Sequence, residues 1–271
     1  MRMDLHMHST FSDGTYTPEM LAKKSRAMGL ELICITDHDV ASGINRSIEA
    51  AFQEGLRTMS GIELSSLHND DLVHILGYGL EPDSLSLMRT IEHNQNAIAD
   101  RDHKVLRCLK LAAVDYDSFE YDRSTGGWKL LNYLIATGIC SDGYGYLSLL
   151  EKLYISLPSF VGAADAIKAI RDSGGISILA HPGYNRDMDA NEAKRFLKSI
   201  ILLGIQGVEC FHPYNDDIIT SAATDICSIY ELSITGGSDW HGNLADRELG
   251  EPPLDSGFLD KRMQSIILER K

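Results

Sequence analysis

Apolar residues fall along this chain in two rhythms. Short, nearly continuous apolar runs cover Glu31–Thr36, Arg57–Glu63, Leu72–Tyr78, Ile176–Ala180, Gly207–Phe211 and Leu232–Thr235, and these read as buried strands. The first stretch alternates instead: Leu5 and Met7 face one side, His6 and His8 the other. Between the runs lie segments of helical spacing. One opens at Thr17-Pro18-Glu19, with a capping hydroxyl and proline at the first helical position, and runs to Gly29. Others are Ser42 to Gly55, Ala163 to Ser173, Asp189 to Leu203, Asp216 to Tyr230 and a closing helix from Leu259 to Glu269. About seven strands alternating with helices predict a barrel-like α/β fold with its chemistry on one face.

The rhythm changes between residues 83 and 159. Residues 84–112 read as one or two helices, 115–117 and 123–127 as turns, and 128–137 and 145–154 as further helices. No strand pattern or ligand cluster falls there. The expected organisation is therefore a barrel of residues 1–82 and 160–271 with a helical insertion, 83–159, that caps the site and selects substrate.

Composition narrows the partners. The 271 residues suit one large α/β domain carrying an insertion. A net charge of −14, from 25 basic and 39 acidic residues, disfavours long nucleic acid. No apolar run approaches the roughly 20 residues that span a bilayer, and the chain opens on a charged strand without an apolar leader, so a cytoplasmic protein is expected. The five cysteines show no C-x-x-C spacing and read as buried, reduced thiols.

Candidate chemistry collects at the ends of the apolar runs. The first strand and its turn carry His6, His8 and Asp13; later runs deliver Asp37, His38, Asp39, Glu63, His181, Glu209, His212, Asp239 and His241, with His74 inside a strand. Any one of these reads equally well as a cap or a hydrogen-bonded core histidine. Together, imidazoles and carboxylates without thiolate suit Mn²⁺, Fe²⁺ or Zn²⁺ in a reactive site better than a structural zinc.

The motifs His6-x-His8 with Ser12-Asp13-Gly14, Thr36-Asp37-His38-Asp39, Gly61-Ile62-Glu63, Ala180-His181-Pro182-Gly183 and Gly237-Ser238-Asp239-x-His241 together resemble the polymerase and histidinol phosphatase (PHP) family, in particular its stand-alone bacterial metal-dependent phosphoesterases. That resemblance implies a distorted seven-stranded β/α barrel holding three divalent metals. His6, His8, Glu63 and Asp239 would hold the first; Asp13, His38 and His241 the second; Glu63, bridging, with His74 and His181 the third. Many histidinol phosphatases of the family have histidine where Asp13 stands, which points this chain to the branch acting on nucleotides and small phosphoesters.

A water or hydroxide held between two such ions is the expected nucleophile. No serine or cysteine stands beside a base to replace it. His212 is the candidate general acid or phosphate contact, Asp37 or Asp39 the candidate to orient an imidazole, and Arg101 the candidate phosphate clamp, ahead of Lys129, on a helix where Lys104 and Arg107 share its spacing. The expected activity is hydrolysis of small phosphorylated metabolites such as nucleoside mono- or bisphosphates or cyclic sugar phosphates. Its rivals are a histidinol-phosphate phosphatase, a short-oligonucleotide exonuclease and a non-catalytic metal-binding regulatory module.

Overall fold

The computed structural model describes residues 1–244 and 247–269. In chain order these form β1 (Arg2–Asp4), α1 (Pro18–Ala27), β2 (Leu32–Ile33), α2 (Ile44–Gln53), β3 (Gly61–His68), β4 (Asp71–Tyr78), α3 (Leu85–Leu109), α4 (Ala113–Asp117), α5 (Lys129–Ala136), α6 (Gly143–Lys152), α7 (Ala163–Asp172), β5 (Ile176–Leu179), α8 (Ala190–Ile201), β6 (Gly207–Phe211), α9 (Asp217–Tyr230), β7 (Ser233–Gly236), β8 (Leu254–Asp255) and α10 (Lys261–Gln264).

The strands lie in two sheets. One has three strands in the order β2-β1-β8, the other five in the order β3-β4-β5-β6-β7. This differs from the expected single barrel of seven strands. β8 is two residues long and carries no readable pattern, and the ladders of β1, β2 and β7 stop where the ligand residues begin. Beyond those ladders isolated bridges link the sheets, among them Met7 with Trp240, Leu32 with Arg57 and His38 with Glu63. Asp39, His181 and Asp239 adopt positive φ just past strand ends, a conformation that costs a non-glycine residue free energy and interrupts regular pairing.

Local chemistry explains most elements. The Thr17 side chain accepts from the Met20 amide and Pro18 opens α1, as the sequence implied. The α2 N-cap is Gly43, with no side-chain hydrogen bond, so Ser42 does not cap it. β3 and β4 form an antiparallel hairpin whose turn is Asn69-Asp70, both at positive φ; Asn and Asp tolerate that conformation better than other side-chain-bearing residues. An Asp189–Glu192 capping box starts α8. The predicted closing helix shrinks to α10, four residues capped by Asp260.

Strand alternation decides what enters the interior. On β3, Ile62 and Leu64 pack outward with Ile75, Leu179, Val208 and residues of α7, α8 and α9 in the largest core cluster. Glu63, between them, points the other way. Met3, Leu5, Leu32, Tyr78, Ile178 and Leu254 fill the space between the two sheets, and Tyr78 Oη donates to the Leu5 carbonyl at 2.9 Å. The insertion packs a cluster of its own from Val105, Leu106, Tyr116, Leu130, Leu134 and Tyr146. It holds one 25-residue helix, α3, where one or two were expected, and a short helix replaces the turn expected at 115–117. Among the described residues, no helix is long and apolar enough to cross a membrane.

Candidate active site

Glu63 is the centre of the interior polar cluster. Its Oε2 lies 3.0 Å from His6 Nε2, 3.1 Å from His8 Nε2 and 3.4 Å from His38 Nδ1, and its Oε1 lies 3.0 Å from His74 Nδ1 and 2.9 Å from His181 Nε2. Asp239 Oδ1 is 3.1 Å from His8 Nε2, and Asp13 Oδ2 is 3.3 Å from His241 Nε2. The nine residues expected as ligands thus converge from strand ends far apart in sequence. Two motif glycines make that approach possible. A Cβ on Gly237 would sit 2.4 Å from His6 Cβ, and one on Gly14 2.2 Å from the His8 carbonyl oxygen.

The geometry accommodates metal ions. Four sets of potential ligand atoms lie within 4.8 Å of one another: His8, Asp13, His38 and His241; His6, His8, Glu63 and Asp239; His38, Glu63 and His74; and His6, Glu209 and His212. The first two match the expected first and second groups, with His8 added to the second. In the third set His38 stands where His181 was expected, although His181 touches Glu63 directly. Both nitrogens of His8, Nδ1 of His38 and His74, and Oδ1 of Asp239 are buried without a hydrogen-bond partner. Buried polar atoms left unpaired are costly, and a cation is the partner this donor set fits.

Hydrogen bonds sort the histidines. Glu209 Oε1 accepts from His6 Nδ1 at 2.9 Å, which leaves Nε2 of His6 as the ligand atom, and Glu209 Oε2 accepts the His181 amide at 2.8 Å. The Asp239 carbonyl takes the Nδ1 proton of His241 at 2.8 Å, with the same consequence. His212 is the reverse: its Nδ1 accepts the Tyr214 amide at 3.0 Å, so the neutral ring carries its proton on Nε2, 3.7 Å from Asp239 Oδ2. Although its nitrogen falls within reach of His6 and Glu209, that tautomer makes His212 a donor and not a ligand.

Charge is shared unequally across the cluster. Burial opposes ionisation of Glu63 and Asp239, yet His6, His38 and His74 hold the first, and His241 and His6 the second, well below the carboxylate range. Burial also opposes the cationic form of His8, but Asp239 and Glu63 raise it to about 10. For His38 and His181 burial wins, lowering them to about 3 and about 4.

Four residues expected to orient an imidazole or clamp phosphate meet other partners. Asp37 was expected to orient an imidazole; its carboxylate instead accepts from the Ser9 amide, Ser9 Oγ and Ser12 Oγ, all at 2.7 Å, and so fixes the loop carrying His8 and Asp13. Asp39 accepts from the Ser65 amide and from Asn94 of α3. Arg101 places Nε and Nη2 on Asp102, at 3.1 and 2.8 Å, inside the insertion, while Lys104 and Arg107 face solvent. Lys129 Nζ binds the Asp117 carbonyl. The cation that does touch a candidate ligand is Arg247, paired through Nη1 with Asp239 Oδ2. No pattern in its segment marked it, whereas Glu209 already stood among the candidates delivered by the strands.

Several buried strand ends, one central carboxylate and a ring of imidazoles make a centre with the donor chemistry of a metal-dependent hydrolase. Residues 4–198 match the PHP domain, and the chain belongs to that family. It is 29% identical over 258 residues to a phosphoribosyl 1,2-cyclic phosphate 1,2-diphosphodiesterase of Eggerthella lenta, covering 89% of this chain and 94% of that one. Against a 3′,5′-nucleoside bisphosphate phosphatase of Chromobacterium violaceum the identity is 26%, covering 93% of each chain. A 5′-3′ exoribonuclease of Haemophilus influenzae is also 26% identical, with 92% of this chain and 93% of the relative covered. A crystal structure from Bifidobacterium adolescentis, described as a candidate metal-dependent phosphoesterase, superposes with a TM-score of 0.78 at 26% identity, over 97% of this chain and 94% of that one.

Proposed function

We propose that this chain is a metal-dependent phosphoesterase acting on small phosphorylated metabolites, either nucleoside mono- or bisphosphates or cyclic sugar phosphates. The observation that carries the reading is Glu63: one carboxylate within 3.4 Å of five buried imidazole nitrogens, three of which, on His8, His38 and His74, form no hydrogen bond. His6, His8, Glu63 and Asp239 would hold one ion, Asp13, His38 and His241 a second, and Glu63, His74 and His181 a third, with Mn²⁺, Fe²⁺ or Zn²⁺ all suited to the ligands. Such ions supply a water acidified to a pKa near 7 and neutralise charge on phosphoryl oxygens.

The chain's own residues do the rest. Glu209 fixes the ring of His6, and Asp37 fixes the Ser9–Ser12 loop. His212, with the Tyr214 amide on Nδ1 and so its proton on Nε2, would protonate the leaving oxygen. The insertion, 83–159, serves as a cap: its Gly127 amide donates to the Asp13 carbonyl at 2.7 Å, which brings the 121–128 segment over the ligand loop. Arg101, held by Asp102 within this cap, is the insertion's proposed substrate contact.

Phosphate release by Mn²⁺-loaded protein from AMP, adenosine 3′,5′-bisphosphate, cyclic ribose phosphates, histidinol phosphate and a dinucleotide tests the reading. Strong preference for a nucleotide or cyclic phosphate is expected. Exclusive turnover of histidinol phosphate or of the dinucleotide would move the chain to one of those activities, and silence across the panel with metal bound would leave a binding module.

A further inference from the structure

Resting on that phosphoesterase reading, we propose that Arg247 is a substrate-binding residue that grips a phosphoryl oxygen beside Asp239. Its side chain is only 14% exposed, and Tyr214 lies flat beneath it, 4.7 Å from guanidinium carbon to ring centroid. Nη1 pairs with Asp239 Oδ2; among the described residues, Nε and Nη2 have no hydrogen-bond partner. A guanidinium offers five donors in one plane, so a stacked and mostly buried one with a single ionic partner is an incomplete site.

Position defines the missing partner. Arg247 Nη1 and His212 Nε2 converge on the same oxygen, Asp239 Oδ2, and the Tyr214 ring packs against both, its centroid 5.1 Å from that of His212. Asp239 is also a candidate metal ligand, and its Oδ1 is buried without a hydrogen-bond partner. Once divalent cations share that carboxylate, the negative charge facing Arg247 is largely spent, and a buried guanidinium next to them needs another anion. A phosphoryl group held at the same centre would supply it, two of its tetrahedral oxygens spaced to accept from Nε and Nη2 of the guanidinium fork. None of the other lysines or arginines among the described residues makes an ion pair or hydrogen bond to a candidate ligand, so no second cation already fills this role.

The test compares wild type, Arg247→Ala and Arg247→Lys, each loaded with Mn²⁺, by metal content, by calorimetric titration with inorganic phosphate and by KM and kcat for the best phosphoester of the panel. Arg247→Ala is expected to keep its metal, to bind phosphate about tenfold or more weakly and to raise KM in step, with partial recovery in Arg247→Lys. Unchanged phosphate affinity in metal-replete Arg247→Ala overturns the proposal. So does loss of metal in parallel with phosphate binding, which would make Arg247 a prop for Asp239 alone. If metal-loaded wild type neither binds phosphate nor hydrolyses any ester, the phosphoesterase reading itself fails, and that outcome is separate from any result on the variants.

Discussion

The sheets and the insertion handle polarity in opposite ways. Around the sheets, His6, His8, Glu63 and Glu209 are fully buried, and both ring nitrogens of His8 lack a hydrogen-bond partner. In the insertion the buried cluster is apolar or aromatic, while Val114, Tyr144, Leu147 and Tyr154 lie exposed. Buried charge needs partners: the sheets draw them from strand ends in many parts of the chain, whereas the insertion's one buried carboxylate, Asp102, is paired locally by Arg101 and Tyr116. The insertion, built from local helices around one small core, has stability that depends on packing and surfaces free to change. The proposed division puts chemistry in the sheets and selectivity in the helices, and substitutions in each can break or sharpen it.

The largest effect is expected at Glu63. Glu63→Ala removes the group nearest five imidazoles, so bound metal should fall sharply and turnover should drop by roughly 10³-fold or more, with circular dichroism little changed. Full turnover with reduced metal content would separate the cluster from the chemistry. In the insertion, Leu134→Ala hollows a fully buried position and should cost about 2–5 kcal/mol. Hydrogen exchange should rise across α5 and α6 while metal content stays at the wild-type level. Loss of metal in this variant would mean that the two regions form one cooperative unit.

That division was partly visible beforehand. Ligands at strand ends were legible because His6-x-His8 and Gly237-Ser238-Asp239 are local patterns and because strand alternation turns Glu63 and His74 inward. What pairs with what was not. Asp37 and His38 are adjacent, yet Asp37 is spent on serines 25 and 28 residues away. Arg101 is neutralised by its own neighbour, Asp102, because helix geometry lets the long side chain fold back. Arg247 follows no hydrophobic period, so only tertiary packing against Tyr214 reveals it. Likewise β8, two residues long, exists through its pairing with β1 and not through propensity.

Asn94 sits on the boundary between the two regions. Fully buried on α3, its Nδ2 donates to Asp39 Oδ1 and to the Ser65 carbonyl, both at 2.7 Å, and its Oδ1 accepts the Val161 amide at 3.1 Å. One side chain thus joins the insertion's first helix, the loop after His38 and the segment returning from the insertion. Asn94→Ala strands those groups and should cost about 1–3 kcal/mol. A comparable change in the stability of both regions is expected, together with weaker metal binding through His38. An effect confined to hydrogen exchange in α3 would show that the insertion is docked elsewhere.

The smallest effect is a proton count, and it belongs to the sheets alone. In the metal-free protein, burial disfavours charge on His6 and His8, but Glu209 and Glu63 hold His6 above the imidazole range, and Asp239 and Glu63 hold His8 at about 10. The stability these pairings give the metal-free form is present below the unfolded imidazole value of about 6.5 and is lost as pH rises through the folded values. His38 and His181, lowered to about 3 and about 4 by burial, are already neutral at pH 7. A ligating imidazole must be neutral, so Mn²⁺ uptake at pH 7–8 should release protons from His6 and His8 and none from His38 or His181. Apparent affinity should then rise by about tenfold per pH unit for each proton released. Calorimetry in buffers of different ionisation enthalpy measures that number directly; uptake without proton release would show that the carboxylates, not the imidazoles, yield to the metal.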